Sequence, residues 1–179
     1  GAGVPYNGQE QTVLPSLPEQ AILEEDEVRL GTVTGNVQTN AGSYTARVEG
    51  LAGADSGNYI LAEGSESYSW SIAQAPAPSI TFPTVESPVT YHPEQTLAGL
   101  PLTGGSTEYG SFAWSEPSTV PTVARSAYAV TFTPSALTLQ NYQGAEVLTQ
   151  DVTVTVDKGQ QPRPAVTLTP PASIGGTGL

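Results

Sequence analysis

One pattern constrains this chain more than any other: landmarks of its first half return at a nearly constant spacing in its second half. Tyr91 follows Tyr6 by 85 residues, Tyr128 follows Tyr44 by 84, Asn141 follows Asn58 by 83, and Val156 follows Ile72 by 84. Four landmarks at one spacing mark an internal duplication. In each copy an Asn-Tyr pair precedes an alternating run, Tyr68, Trp70 and Ile72 or Val152, Val154 and Val156, and each run ends in a small polar tail that leads into prolines. The repeating unit is turn, strand, linker. It predicts a first module over residues 1–75, a proline-rich linker over 76–83, a second module over 84–159, and a linker or the start of a third repeat over 160–179.

Modules this small bury only about 60% of the surface their unfolded chains expose, so each core must rest on a few large side chains. Charged residues make up 12% of the sequence, while Gly, Pro, Ser and Thr abound, which suits strands joined by tight turns better than helices. The clearest strand signal of the first half is Tyr44, Ala46 and Val48 on one face against Thr45, Arg47 and Glu49 on the other. Val28 to Val33 reads as a strand after an acidic turn, Asn58 to Leu61 as a short strand, and Tyr68 to Ile72 as the closing strand. Residues 4–17, with Asn7-Gly8 as the turn pair, read as an opening hairpin. Prolines at 76, 78 and 83 predict an extended, stiff linker.

In the second half Ala127 to Phe132 replays Ser43 to Val48, and Phe112 alternates with Trp114 in an aromatic strand that the first half lacks. Gln160 to Leu168 parallels Pro76 to Phe82, the expected lead-in to a third copy. The chain begins without methionine, contains none, and reads as a piece of something longer.

Charge and composition narrow the partners. Seventeen acidic against five basic residues give a net charge of −12, with no Lys or Arg cluster to displace counterions from a phosphate backbone, so nucleic acid is not an expected partner. The same charge opposes anionic lipid, and no apolar run approaches the ~20 residues that span a bilayer. There is no cysteine, so neither disulfides nor thiol chemistry contributes.

The candidate sites are few. Glu24-Glu25-Asp26-Glu27 concentrates carboxylates but lacks the loop spacing of a calcium site, and a solvated acidic turn is the expected role. Asp55-Ser56-Gly57-Asn58 is expected to form an Asx-type turn that sets Tyr59. No pair of carboxylates is marked as facing across a cleft, and His92, the sole histidine, has no nucleophile or fellow ligand beside it in sequence. Lys158 is the only lysine, so a Lys–Asn cross-link could form at most once. The remaining candidates are aromatic. Tyr109 and Trp114, or Tyr68 and Trp70, could offer flat faces to sugar rings, but their alternation with Phe112 and Ile72 favours a place in the core.

These residues carry a resemblance. Asp26 to Leu30, Asn40-Ala41-Gly42-Ser43-Tyr44, Gly53 to Leu61 and Ser71-Ile72-Ala73-Gln74-Ala75 resemble the MBG or YDG repeats found in tandem in large bacterial surface proteins. In the second copy Gly110 to Trp114, Tyr128 to Pro134 and Asn141-Tyr142 resemble related surface repeats of Gram-positive bacteria, with Leu139-Gln140-Asn141 replacing the Gly-rich lead-in of copy one. The resemblance implies an all-β chain of two tandem small antiparallel β-sandwiches of Ig-like type, with a β-grasp arrangement as the alternative. It implies non-catalytic spacer or stalk repeats of a secreted or cell-wall-anchored bacterial protein, with an adhesive role in view, and it carries no catalytic, cofactor or metal residue. The expected partners are neighbouring repeats of the same chain. The alternative is a module binding a host glycan or glycoprotein through Tyr109, Trp114, Tyr68 and Trp70.

Overall fold

Alternation of apolar and polar residues builds this chain into strands, and the computed structural model, which describes residues 3–159, is all-β with one short α-helix. The first half contains β1 (Val4–Pro5), β2 (Gln11–Thr12), β3 (Arg29–Thr34), β4 (Val37–Gln38), β5 (Gly42–Ala52) and β6 (Ser67–Ala73). β7 (Ala75–Pro76) starts the crossing to the second half, which holds β8 (Thr84–Val85), β9 (Val89–Thr90), β10 (Leu102–Thr103), β11 (Gly110–Trp114) and β12 (Ala124–Pro134). The helix α1 (Ala136–Asn141) and strands β13 (Tyr142–Gln143) and β14 (Leu148–Asp157) complete it.

Each half is built on a four-stranded mixed sheet, and the two sheets have the same strand order, β1-β6-β5-β3 and β9-β14-β12-β11. In both, a two-residue leading strand runs parallel to the closing strand, with Val4 opposite Ile72 and Val89 opposite Val156. The closing strand then runs antiparallel to the longest strand, which pairs on its other side with β3 or β11. A duplication legible in four residues is thus a duplication of strand order.

Backbone bonds outside these sheets recur at matching places. Val13 N–H donates to the Asn36 carbonyl at 2.9 Å beside the β2–β4 pair, and Leu97 N–H donates to the Thr119 carbonyl at 2.8 Å in the second half. Inward-facing side chains make the cores. In the second half Leu97, Leu100, Trp114, Val130, Val152, Val154 and Val156 are buried together, with the three valines of β14 spaced by two residues so that one face of the strand supplies them all. The first half has a smaller buried cluster of Ala41, Ala46, Trp70 and Ile72, with Tyr6, Val13 and Tyr44 against it. Each indole N–H is satisfied by a carbonyl, Trp70 Nε1 by Gly35 at 3.0 Å and Trp114 Nε1 by Leu100 at 3.1 Å.

Several sequence expectations are corrected in detail. Residues 4–17 do not form a hairpin, because β1 joins β6 and β2 joins β4, although Asn7-Gly8 does turn the chain, with Gln9 N–H donating to Asn7 Oδ1 at 2.9 Å. Asn58 to Leu61 is not a strand: a 3-10 turn over Ser56–Asn58 leads into irregular chain, and Ile60 is 94% exposed. Tyr44 and Tyr128 share a strand face but not a register position, since Tyr44 lies opposite Trp70 and Tyr128 opposite Val152. The long strand has slipped by two residues between copies, the smallest slip that keeps apolar side chains inward. Both hydroxyls still close back on the preceding turn, Tyr44 donating to the Asn40 carbonyl at 2.6 Å and Tyr128 accepting from Thr122 N–H at 2.9 Å.

The core assignment has a direct test. Phe132, 1% exposed and 5.1 Å from Phe112 between ring centroids, is expected to cost about 3–5 kcal/mol when cut to alanine. Ile60→Ala is expected to stay within about 0.5 kcal/mol. Urea unfolding measures both, with Trp114 fluorescence reporting Phe132→Ala in a Trp70→Phe background and Trp70 fluorescence reporting Ile60→Ala in a Trp114→Phe background.

Candidate functional site

The most elaborated polar constellation of the molecule lies where the two halves meet, and α1 delivers it. Ser135 caps this helix, its Oγ accepting from Thr138 N–H at 3.1 Å, which satisfies one of the donors a helix start leaves open. Thr138, 3% exposed, donates its hydroxyl to the Tyr109 carbonyl at 2.6 Å and so ties the helix to the approach of β11. The last turn then points Gln140 and Asn141 at the first half.

Asn141 is 3% exposed, and both ends of its amide are used across the junction. Its Oδ1 accepts from Ala41 N–H at 2.7 Å and its Nδ2 donates to Asn40 Oδ1 at 3.0 Å. Gln140 Nε2 donates to the Ala41 carbonyl at 3.1 Å. Gln74 returns the arrangement, its Nε2 donating to the Leu139 carbonyl at 3.1 Å and the Gln140 carbonyl at 2.9 Å. Alongside, β7 and β13 pair in parallel, Tyr142 opposite Ala75 and Gln143 opposite Pro76. The Tyr142 ring stands edge-on between Tyr6, at 5.4 Å and 82°, and Tyr109, at 5.6 Å and 89°, the geometry that sets a ring's positive edge against a neighbour's negative face. Burial first, then the neighbouring Tyr109 and Tyr6, raises the ionisation of the Tyr142 hydroxyl above its ordinary value.

The corresponding Asn-Tyr pair of the first half has other partners. Asn58 is exposed, while Tyr59 donates its hydroxyl to Asp26 Oδ2 at 2.6 Å and accepts from Leu23 N–H at 3.1 Å. Asp55 does not cap its own turn: its Oδ2 accepts from Glu27 N–H at 2.9 Å and its N–H donates to the Glu27 carbonyl at 3.2 Å. This clamp needs Gly53, whose φ of +117° suits glycine and whose place would drive a Cβ into the Glu27 carbonyl. The hydrogen bond to Asp26 is the main cause that raises the Tyr59 ionisation. Tyr128 differs: burial acts to raise its ionisation, but hydrogen bonds from Thr122 and Ser126 outweigh that and lower it.

The structure separates the four aromatic candidates. Trp70 and Trp114 are 8% and 7% exposed with their rings in the cores, Tyr109 is half-buried against Tyr142, and Tyr68 is 56% exposed on β6. Among the described residues no three His, Cys, Asp or Glu side chains gather as a metal would require. His92 is exposed and accepts from Glu94 N–H at 3.2 Å in a local turn, and Lys158 is exposed. Among the described residues two apolar depressions stand out. One of about 320 Å³ in the first half is lined by Leu17, Ile22, Leu30, Leu51, Tyr59 and Leu61 among others, and one of about 220 Å³ in the second half lies beside Ile80, Phe132 and Leu148. Sequence reasoning singled out Asn141 and Tyr142 only as landmarks of the repeat; the signal it missed was a capping serine followed by two amide side chains in the last turn of a short helix. Comparison with family models, with curated proteins and with solved structures finds no match.

The tyrosines give a pH dependence with a definite sign. A hydroxyl whose ionisation is raised by folding stabilises the fold fully below the unfolded value of about 10 and loses that contribution as pH climbs through the folded value. The stability margin of the wild type over Tyr59→Phe is therefore expected to be constant from neutral pH to about 10 and to shrink above it. Urea midpoints collected across an alkaline pH series check this.

Proposed function

We propose that the chain is a pair of structural spacer repeats from a secreted or cell-wall-anchored bacterial surface protein, with reach rather than catalysis as its work. The observation that carries this reading is the junction. Asn141, Gln140 and Gln74 use their side chains on the backbone of the opposite half, so the angle between repeats is set by directional bonds rather than left to a loose tether. The extended linker adds to this, because Thr81 N–H donates to Ser106 Oγ at 2.9 Å and the Thr81 carbonyl accepts from Ser106 N–H at 2.9 Å, which lays the segment along the second repeat.

Each repeat is, in this proposal, a small sandwich of the Ig-like type. Support comes from the shared core: the four-stranded sheet supplies Trp114, Val130 and the valines of β14, and the 3-10 turn over Leu97–Gly99 with its cap supplies Leu97 and Leu100 to the same cluster. A net charge of −12 keeps such an exposed stalk dispersed, and cores made only of carbon side chains and satisfied indoles need no metal or disulfide.

Two measurements test the reading together. Small-angle scattering at low concentration is expected to show an elongated particle; a particle as compact as one fused domain would sink the proposal. Asn141→Ala leaves the buried Ala41 N–H without its acceptor and is expected to cost about 1–3 kcal/mol. The same variant is expected to broaden the distribution of inter-repeat distances in the scattering, while each half keeps its own β signature.

A further inference from the structure

We infer that the last turn of α1 is a latch on the fold of the first half: it completes the turn that opens β5, so losing it loosens the β5–β6 ladder and leaves the β12–β14 ladder closed. The latch holds whether or not the chain serves as a spacer, because contacts within the molecule alone carry it. Ala41 belongs to the buried cluster of the first half and is the last residue before β5, whose first residue, Gly42, lies opposite Ile72 of β6. It is 5% exposed, and both of its peptide groups are bonded by side chains of the other half, the N–H by Asn141 Oδ1 at 2.7 Å and the carbonyl by Gln140 Nε2 at 3.1 Å.

From that turn the contacts run inward. Asn40, whose Oδ1 accepts from Asn141 Nδ2, has its carbonyl bonded by the Tyr44 hydroxyl at 2.6 Å. The Tyr44 ring lies 5.3 Å from the Trp70 ring, and Trp70 and Ile72 share the cluster with Ala41. Tyr6, packed against the same cluster, meets the Tyr142 ring edge-on at 5.4 Å. Asn141 and Tyr142, adjacent in the chain, therefore reach the first core by two routes, one polar and one aromatic.

The dependence is unequal because α1 is held by its own half. Ser135 N–H and the Thr138 hydroxyl both donate to the Tyr109 carbonyl, at 2.9 and 2.6 Å, and Leu139 N–H closes onto the Ser135 carbonyl at 3.0 Å. The β7–β13 pair is shared and favours neither side. The bonds that return from the first half, from Gln74 Nε2 to the Leu139 and Gln140 carbonyls, lie at exposed surface, where water replaces the donor at a helix end. Losing Gln74 therefore costs the second half solvated bonds, whereas losing Asn141 takes the acceptor from a buried N–H of the first. The stability of one unit thus carries a term supplied by the face of its neighbour.

Hydrogen exchange of the full chain at neutral pH tests this, since each ladder reports its own opening. Asn141→Ala is expected to speed the amides of the β5–β6 ladder by about 5- to 100-fold, the range for a buried donor that loses its acceptor. Those of the β12–β14 ladder are expected to stay within about twofold, as are both ladders in Gln74→Ala. Thr138→Val bonds to nothing in the first half and exchanges for a methyl the hydroxyl that ties α1 to Tyr109; it is expected to speed the β5–β6 amides by about threefold or more. Unchanged β5–β6 exchange in Asn141→Ala, equal acceleration of both ladders, or a Gln74→Ala effect as large as that of Asn141→Ala would each overturn the latch. If Asn141→Ala does not fold, Thr138→Val decides alone, and β5–β6 amides that ignore it overturn the latch.

Discussion

A neutral side chain, buried and bonded at both ends, stands at the centre of the contact between the two halves of this protein. Asn141 offers the same donor and acceptor as a peptide group, and it spends them on Ala41 N–H and Asn40 Oδ1. Around it the rest is ordered by necessity. The helix that carries it must stop where it does, and Ser135 and Thr138 fix that by binding the helix start to its own turn and to Tyr109. Because no ion takes part in these bonds, salt has little to screen, unlike a junction made of surface ion pairs.

The two repeats share strand order and differ in what fills them. In the first, the indole comes from the closing strand as Trp70; in the second it comes from β11 as Trp114, opposite Val130. Both indoles reach a backbone carbonyl, that of Gly35 just after β3 or of Leu100 at the end of a 3-10 turn, so an equivalent ring comes from a different strand in each half. Cores tolerate such exchange when volume and patterning are kept. The clusters differ in size: seven buried residues gather in the second half and four in the first, where Leu30 and Leu51 line an open depression.

Much of this was legible in the chain because period-2 patterning and repeat spacing are local or self-referential signals. Val152, Val154 and Val156 announced a strand with one buried face, and they form it. What escaped were features decided by distant partners. Asn7-Gly8 is a sound turn pair, yet the strands on either side of it pair with residues 37–38 and 72–73, which no hairpin rule can foresee. The helix over Ala136–Asn141 is too short to show a helical period, and the two-residue slip of Tyr128 against Tyr44 leaves every side chain on its expected face and so leaves no trace in the pattern. Of the junction, the sequence displayed Asn141 and Tyr142 but not what they touch, since a contact across a hundred residues has no periodicity.

The parallel leading strand has a mechanical meaning. Val4 enters beside Ile72 and Val89 beside Val156, and Tyr6 N–H and Tyr91 N–H extend those pairings onto the carbonyls of Ala73 and Asp157, each at under 3 Å. Tension on the two ends of such a unit slides the first strand lengthwise past the last, so its cross-links resist together in shear, whereas an antiparallel pair at the ends would peel open one rung after another. In a tether of the kind proposed, such units would give way late and abruptly, one at a time, under a pull that left their neighbours intact.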